Sequence, residues 1–202
     1  MLRNSCYLID KLGGFMAPKV KFTKSEIIDA AINIIRYQGI DGLTARILAD
    51  ELGSSTKPIF GLFEGMDELK KECLIKANEL YQDFLHKEMY AGEYPPYKAS
   101  GMGYIKFSIE EKELFKLLFM RDRTGEIIGE DRESIRDILD IIMKNLSIDE
   151  DTAFAFHMEL WIFVHGIATM YATNYLDWDL SYVSNMLTDV YTGLLACHCE
   201  EN

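Results

Sequence analysis

Residues 44–69, TARILADELGSSTKPIFGLFEGMDEL, with Lys70 and Lys71 just beyond, collect the side chains best suited to grip a phosphate backbone and touch base edges. The candidates are Thr44, Arg46, Ser55, Thr56, Lys57, Phe60 and Lys70. A lysine ammonium can donate to guanine O6 and N7, and a threonine methyl can touch the methyl of thymine. Thr44 and Arg46 sit where phosphate contacts would position the segment, and Lys70 and Lys71 would add to them. Phe60 has two readings, packing on a sugar or completing a small core. The bland reading of Lys57, a lone cation on a solvated helix face, is outweighed by the pattern around it.

A second set lies in the C-terminal half. Trp161, His165 and Gly166 could line a pocket, although His165 reads more readily as a satisfied structural histidine beside a glycine that lets helices approach. Phe107, Phe115, Phe119, Met120, Met143, Phe154 and Met158 form an aromatic and methionine-rich group. Most belong to a core, and a subset is expected to wall a cavity for a small, bulky, apolar effector, because methionine adapts to irregular partners. Abundant Asp and Glu nearby leave a cationic ligand as an alternative, though a solvated surface explains most of that charge.

Other chemistry finds little support. There is no G-x-S-x-G, P-loop, G-x-G-x-x-G or H-E-x-x-H, so no enzyme is expected. The four histidines show no metal spacing, and Cys197-His198-Cys199 lacks the usual C-x-x-C geometry. No cofactor is expected. Cys6, Cys73, Cys197 and Cys199 make no disulfide framework and suit a reducing cytoplasm. No uninterrupted apolar run approaches the roughly 18–20 residues of a membrane span, and no membrane partner is expected.

Helices must position all of these residues. Thr23-Lys24-Ser25-Glu26 is a capping box, followed by an apolar stripe of Ile27, Ile28, Ala31, Ile34 and Ile35 that Gly39 stops. Thr44 caps a second helix that Gly53 ends, with Leu48 and Leu52 inward and Ala49 small enough for close approach. Ser55 is expected to cap a third, with Pro58 in its first turn where a missing N–H costs little. Further helices are expected near 67–89, 97–108, 111–120 and 132–146, with a loop at 121–130. Ser147-Ile148-Asp149-Glu150 reads as another capping box, opening a helix to about residue 174. A turn at 175–179 leads into a last helix near 180–199.

The fold class is therefore all-α with about nine helices. Residues 1–19 are expected to be an N-terminal extension, either a flexible arm or sequence upstream of a more natural start at Met16. Residues 20–68 would form a three-helix helix-turn-helix head, and residues 69–202 a helical ligand-binding and dimerisation body. The composition, 49% hydrophobic and 12% aromatic, is enough for a real core. The net charge of −12 is uneven: residues 1–65 hold eight Lys or Arg against seven Asp or Glu, so the remainder is strongly acidic. A near-neutral head on an acidic body fits nucleic-acid reading at one end only.

This pattern resembles the tetracycline-repressor-like (TetR) transcriptional regulators. The residues that carry the resemblance are Ile27, Ala30, Ala31, Gly39, Leu43-Thr44, Leu48-Ala49, Leu52-Gly53, Ser55, Ile59, Phe60, Phe63 and Leu69. Trp161-Ile162-Phe163-Val164-His165-Gly166 is similar to the Trp…His-Gly signature of one class of TetR ligand-binding domains. The resemblance implies a homodimeric, ligand-responsive regulator, most often a repressor, that binds double-stranded DNA at a palindromic operator. The last two helices would form the dimer interface, carrying Phe156, Leu160, Val164, Ile167, Met170, Tyr171, Val183, Met186, Leu187, Val190, Leu194 and Leu195, unless these pack within the chain. Three positions depart from the family pattern. Phe60 stands where Tyr is usual, Leu62 where His is usual, and Met66 where Lys is usual. These departures keep open a co-regulator or ligand-binding protein with weakened or lost DNA binding.

Overall fold

The computed structural model describes residues 22–124, 132–133 and 135–199, and side-chain oxygens of Thr23, Thr44 and Asp149 cap the starts of three of its helices. The expected extension at 1–19 and part of the loop at 121–130 lie outside the described residues. Among the described residues there are nine α-helices and no strand.

Helix α1 (Lys24–Gln38) opens on the capping box: the Thr23 amide donates to Glu26 Oε2 at 2.7 Å, and the Glu26 amide to Thr23 Oγ1 at 3.2 Å. These bonds satisfy amides that a helix start would otherwise leave unpaired. Ile27, Ala31, Ile32, Ile34 and Ile35 are buried along one side. A short 3-10 turn (Ile40–Gly42) leads to α2 (Ala45–Glu51), whose start is held by the Ile47 amide donating to Thr44 Oγ1 at 3.3 Å. Gly53 takes φ 57°, which lets the Ser54 amide fold back onto the Ala49 carbonyl at 2.9 Å and reverse the chain.

Helix α3 (Lys57–Leu62) corrects one expectation. Its N-cap is Thr56, not Ser55, and no side chain caps it. The reason is Pro58: a cap at Ser55 would need the amide three residues on, and proline has none. Helix α4 (Met66–Met89) then runs without a break from head to body.

The body consists of α5 (Pro96–Glu110), α6 (Lys112–Phe119), α7 (Arg136–Leu146), α8 (Glu150–Ala172) and α9 (Leu180–Cys199). Helix α5 is the central strut, packed on α4 and α8, while α1 rests on α4 and α6. At Gly103 an added Cβ would lie 3.0 Å from Glu88 Cβ and 3.2 Å from Leu85 Cδ1, so a glycine lets α5 approach α4. One core runs from Ile27 and Leu48 in the head through Leu69 and Cys73 to Phe107, Phe115 and Val183. Burial pushes the Cys73 thiol up to about 12. A smaller core of Leu139, Ile142, Ala153 and Phe156 joins α7 to α8.

Four further expectations are revised. Ser147 does not cap α8; it ends α7 in the left-handed conformation (φ 57°), and Asp149 caps α8 by accepting from the Thr152 amide at 2.9 Å. Only three residues separate these helices, and one of them must reverse the chain. Gly166 brings no helix close, since nothing lies within 4 Å of where its Cβ would be. Phe156, Leu160, Val164, Ile167, Tyr171, Val183 and Leu187 are buried within the chain and so belong to its own core, while Met170 is exposed and Met186, Val190, Leu194 and Leu195 are half-buried. Finally, α8 is long and apolar enough to cross a membrane by length and composition, although His157, Glu159 and His165 interrupt its apolar run. One side of α8 nevertheless packs into the chain's own core.

Candidate functional site

Two places bring the candidate residues together, and they differ in chemistry. In the head, Ile59 and Phe63 are buried while Lys57, Phe60 and Gly61 face outward on α3. Phe60 is 50% exposed, so it does not complete the core. Leu62 and Met66, the other two positions that depart from the family pattern, pack against the core. A polar side chain there would have had to reach out from a partly buried position.

Charge pairing divides the head's cations. Lys24 Nζ is bound to Glu68 Oε1 at 2.9 Å, and Arg36 forks onto Glu111 at 2.9 and 2.8 Å. Arg46, Lys57, Lys70 and Lys71 enter no ion pair among the described residues. Arg46, Lys57 and Lys71 are exposed and Lys70 is half-buried. Thr44 is committed to the α2 cap, Ser55 is exposed, and Thr56 is half-buried at the start of α3. The sequence candidates therefore fall along the turn, α3 and the start of α4, with acidic Asp50, Glu51 and Glu64 exposed beside them.

In the body, a cavity of about 1120 Å³ lies among α4, α5, α7, α8 and α9. Of the residues named above as candidates for its wall, Phe119, Met158 and Trp161 line it. Phe107 and Phe115 do not; both are fully buried in the aromatic cluster behind, where Tyr81 meets Phe107 at 5.2 Å and Tyr104 meets Phe115 at 5.4 Å. Met120 is exposed at the end of α6, and Met143 packs on the smaller core. His165 stands behind the wall. Its ring stacks on Trp161 at 5.0 Å between centroids, and its Nδ1 shares a hydrogen bond of 2.8 Å with the Tyr104 hydroxyl. Burial holds the His165 imidazole below its ordinary value.

The residues that sequence reasoning missed are tyrosines. Tyr81, Tyr94, Tyr97, Tyr104 and Tyr191 all line the cavity. Tyr97 and Tyr104 stand two turns apart on α5, and each meets a histidine two turns apart on α8, Tyr97 with His157 Nδ1 at 3.3 Å and Tyr104 with His165. That paired spacing, 97 and 104 against 157 and 165, is the signal that was available. Asp137 is, among the described residues, the one carboxylate of the lining, alongside Lys98. Among the described residues, no group of three or more His, Cys, Asp or Glu side chains could hold a metal.

A helix-turn-helix head fused through a long helix to a helical body with an internal cavity is a TetR-like fold. The structure of a TetR family member from Streptomyces coelicolor A3 superposes with a TM-score of 0.54 at 20% identity, covering 82% of this chain and 96% of that one. A protein of unknown function from Rhodococcus sp. RHA1 superposes with a TM-score of 0.64 at 17% identity, covering 93% and 99%. In sequence, the chain is similar to YobS of Bacillus subtilis (strain 168), named an uncharacterized HTH-type transcriptional regulator, at 18% identity over 182 residues, covering 89% of this chain and 94% of that protein. No family model matches the chain.

Proposed function

We propose that this chain is a homodimeric, ligand-responsive transcriptional regulator that represses by placing α3 of each protomer in a major groove of a partly palindromic operator. The observation that carries this reading is the outward face of α3. It follows a glycine turn, presents Lys57, Phe60 and Gly61 to solvent, and is flanked by unpaired Arg46, Lys70 and Lys71. A short second helix held by a buried core against the first is the arrangement that enters a groove. The likeness to a named HTH-type regulator supports the same reading.

The faces left open on α8 and α9 support dimerisation through these helices. Ile162 is 61% exposed, Gly166 and Met170 follow it at four-residue steps, and Tyr182 and Gly193 lie outward on α9. Gly166 and Gly193 have open space where a Cβ would be, so a second copy's helices could approach closely there.

Helix α6 joins cavity to head. Phe119 at its C-terminal end lines the cavity, and Glu111 at its N-terminal end holds Arg36 of α1. An effector that favours a displaced α6 would respace the two heads, and only such differential binding shifts the equilibrium. A gel shift against the chain's own upstream DNA at low salt tests the reading. A specific band from folded dimer is expected, and its absence would sink the proposal.

One observation favours a second reading, a co-regulator that no longer binds DNA: α3 exposes a single cation, Lys57, among the acids Asp50, Glu51 and Glu64. In that case Arg46→Ala and Lys57→Ala would leave regulation intact, while substitutions at Gly166 or Gly193 would abolish it.

A further inference from the structure

Lysines on α5 are treated in two ways. Lys106 Nζ is held by two carboxylates, Glu88 at 2.8 Å and Glu93 at 2.9 Å. Lys98, two turns earlier and half-buried in the cavity wall, has none: its ammonium donates to Thr188 Oγ1 at 2.7 Å and stands 5.2 Å from the centre of the Tyr94 ring. Among the described residues no carboxylate lies within ion-pair distance of it. In a chain of 33 Asp and Glu and net charge −12, a cation at the cavity wall whose partners among the described residues are a hydroxyl and a ring face has donor capacity to offer an anion.

The rest of the wall sets the shape. Tyr94, Tyr97, Tyr104, Phe119, Trp161 and Tyr191 offer aromatic faces and edges around the space. Such pairs gain beyond simple burial when the partner is itself an aromatic ring. About 1120 Å³ is more than a one-ring molecule fills. We propose that the cavity takes an aromatic carboxylic acid of two or more rings, its carboxylate on Lys98 Nζ and its rings among the tyrosines. The assignment rests on the reading of this cavity as the effector site.

The test is calorimetric titration of the full chain, without DNA, using four probes. Three share one ring system and differ in charge: anthracene-2-carboxylate, 2-hydroxymethylanthracene and protonated 2-aminomethylanthracene. The fourth, tetradecanoate, keeps the carboxylate on a flexible chain. The anthracene acid should bind about tenfold tighter than the alcohol, the size of one charge-assisted hydrogen bond. The ammonium should bind most weakly, and tetradecanoate more weakly than the anthracene acid. Lys98→Met should bring the acid down to the alcohol while the alcohol's affinity stays put, and Lys98→Arg should keep the acid's advantage. The assignment is overturned if the alcohol or ammonium matches the acid, if tetradecanoate binds tighter, or if Lys98→Met retains the preference. Should Lys98→Met fail to fold, loss of the acid's advantage in Lys98→Arg overturns it equally. The ligand-free gel shift judges the regulator reading separately: DNA binding with no preference for the acid sinks only the ligand class, and the reverse sinks only the regulator.

Discussion

The head closes over aliphatic side chains, whereas the body closes around rings and leaves a space between them. Ile27, Ala31, Ile35, Leu48 and Ile59 are fully or almost fully buried within a few short helices. In the body, Tyr81, Tyr104, Phe115 and Phe119 meet edge-on or tilted at about 5 to 6 Å, and one side of that cluster faces an open cavity. Close packing leaves the head no space among its buried side chains to rearrange. In the body, the side chains that wall the cavity lack partner atoms on one side. The same division holds for charge. Among the described residues, Arg46, Lys57, Lys70 and Lys71 of the head enter no ion pair, nor does Lys98 in the cavity wall, while Arg36 and Lys106, which join elements, are held by carboxylates.

Substitutions can break this contrast. The largest effect is expected from Leu48→Ala, which opens a hole in a fully buried site and should cost about 2–5 kcal/mol in denaturant unfolding. Met158→Ala in the cavity wall should cost less than about 1 kcal/mol, since its neighbours already border open space. Equal costs would mean that the body is packed as tightly as the head. Next in size, Lys57→Ala should weaken operator binding about tenfold and reduce the salt slope by about 1, with the melting temperature unchanged. An unchanged slope would remove Lys57 from the DNA and favour the co-regulator reading.

A smaller change is expected when a cap is lost. Thr44→Ala takes away the acceptor for the Ile47 amide and should lower stability by about 1 kcal/mol, measured by thermal unfolding. The smallest is a pH effect in the body. Burial lowers the folded value of His165 below the ordinary 6.5, so between those values the unfolded chain binds a proton that the folded chain refuses. Stability should therefore fall as pH drops below about 6.5, and His165→Gln should flatten that part of the profile whatever its own stability. A slope that survives the substitution would assign the proton to another group.

How much could be read in advance differs between the two regions for a physical reason. In the head, Thr23, Glu26, Thr44 and Gly53 act on amides and carbonyls within a few residues of themselves, so their roles follow from spacing. Ser55 failed because Pro58, three residues later, removes the amide it needed. In the body, Phe107 and Phe115 looked as fit for a cavity as Phe119 does, and only the direction each takes from α5 or α6 separates core from wall. The apolar stripe of α8 and α9 could have faced a second copy or the chain's own core, and the packing of α5 onto α8 puts Phe156, Leu160, Val164 and Ile167 in the core while leaving Met170 outside it.

The sequence by itself determined the elements: the nine helices among the described residues, the caps at Thr23 and Thr44, the glycine turn and the uneven charge all depend on neighbours along the chain. Tertiary structure alone decided what those elements enclose. Tyr97 and Tyr104 meet His157 and His165, and Lys98 is left without a carboxylate while Lys106 has two, because distant helices cross at particular heights and angles. A helix shows which residues share a face through its own period, but what that face meets depends on the packing of the whole chain.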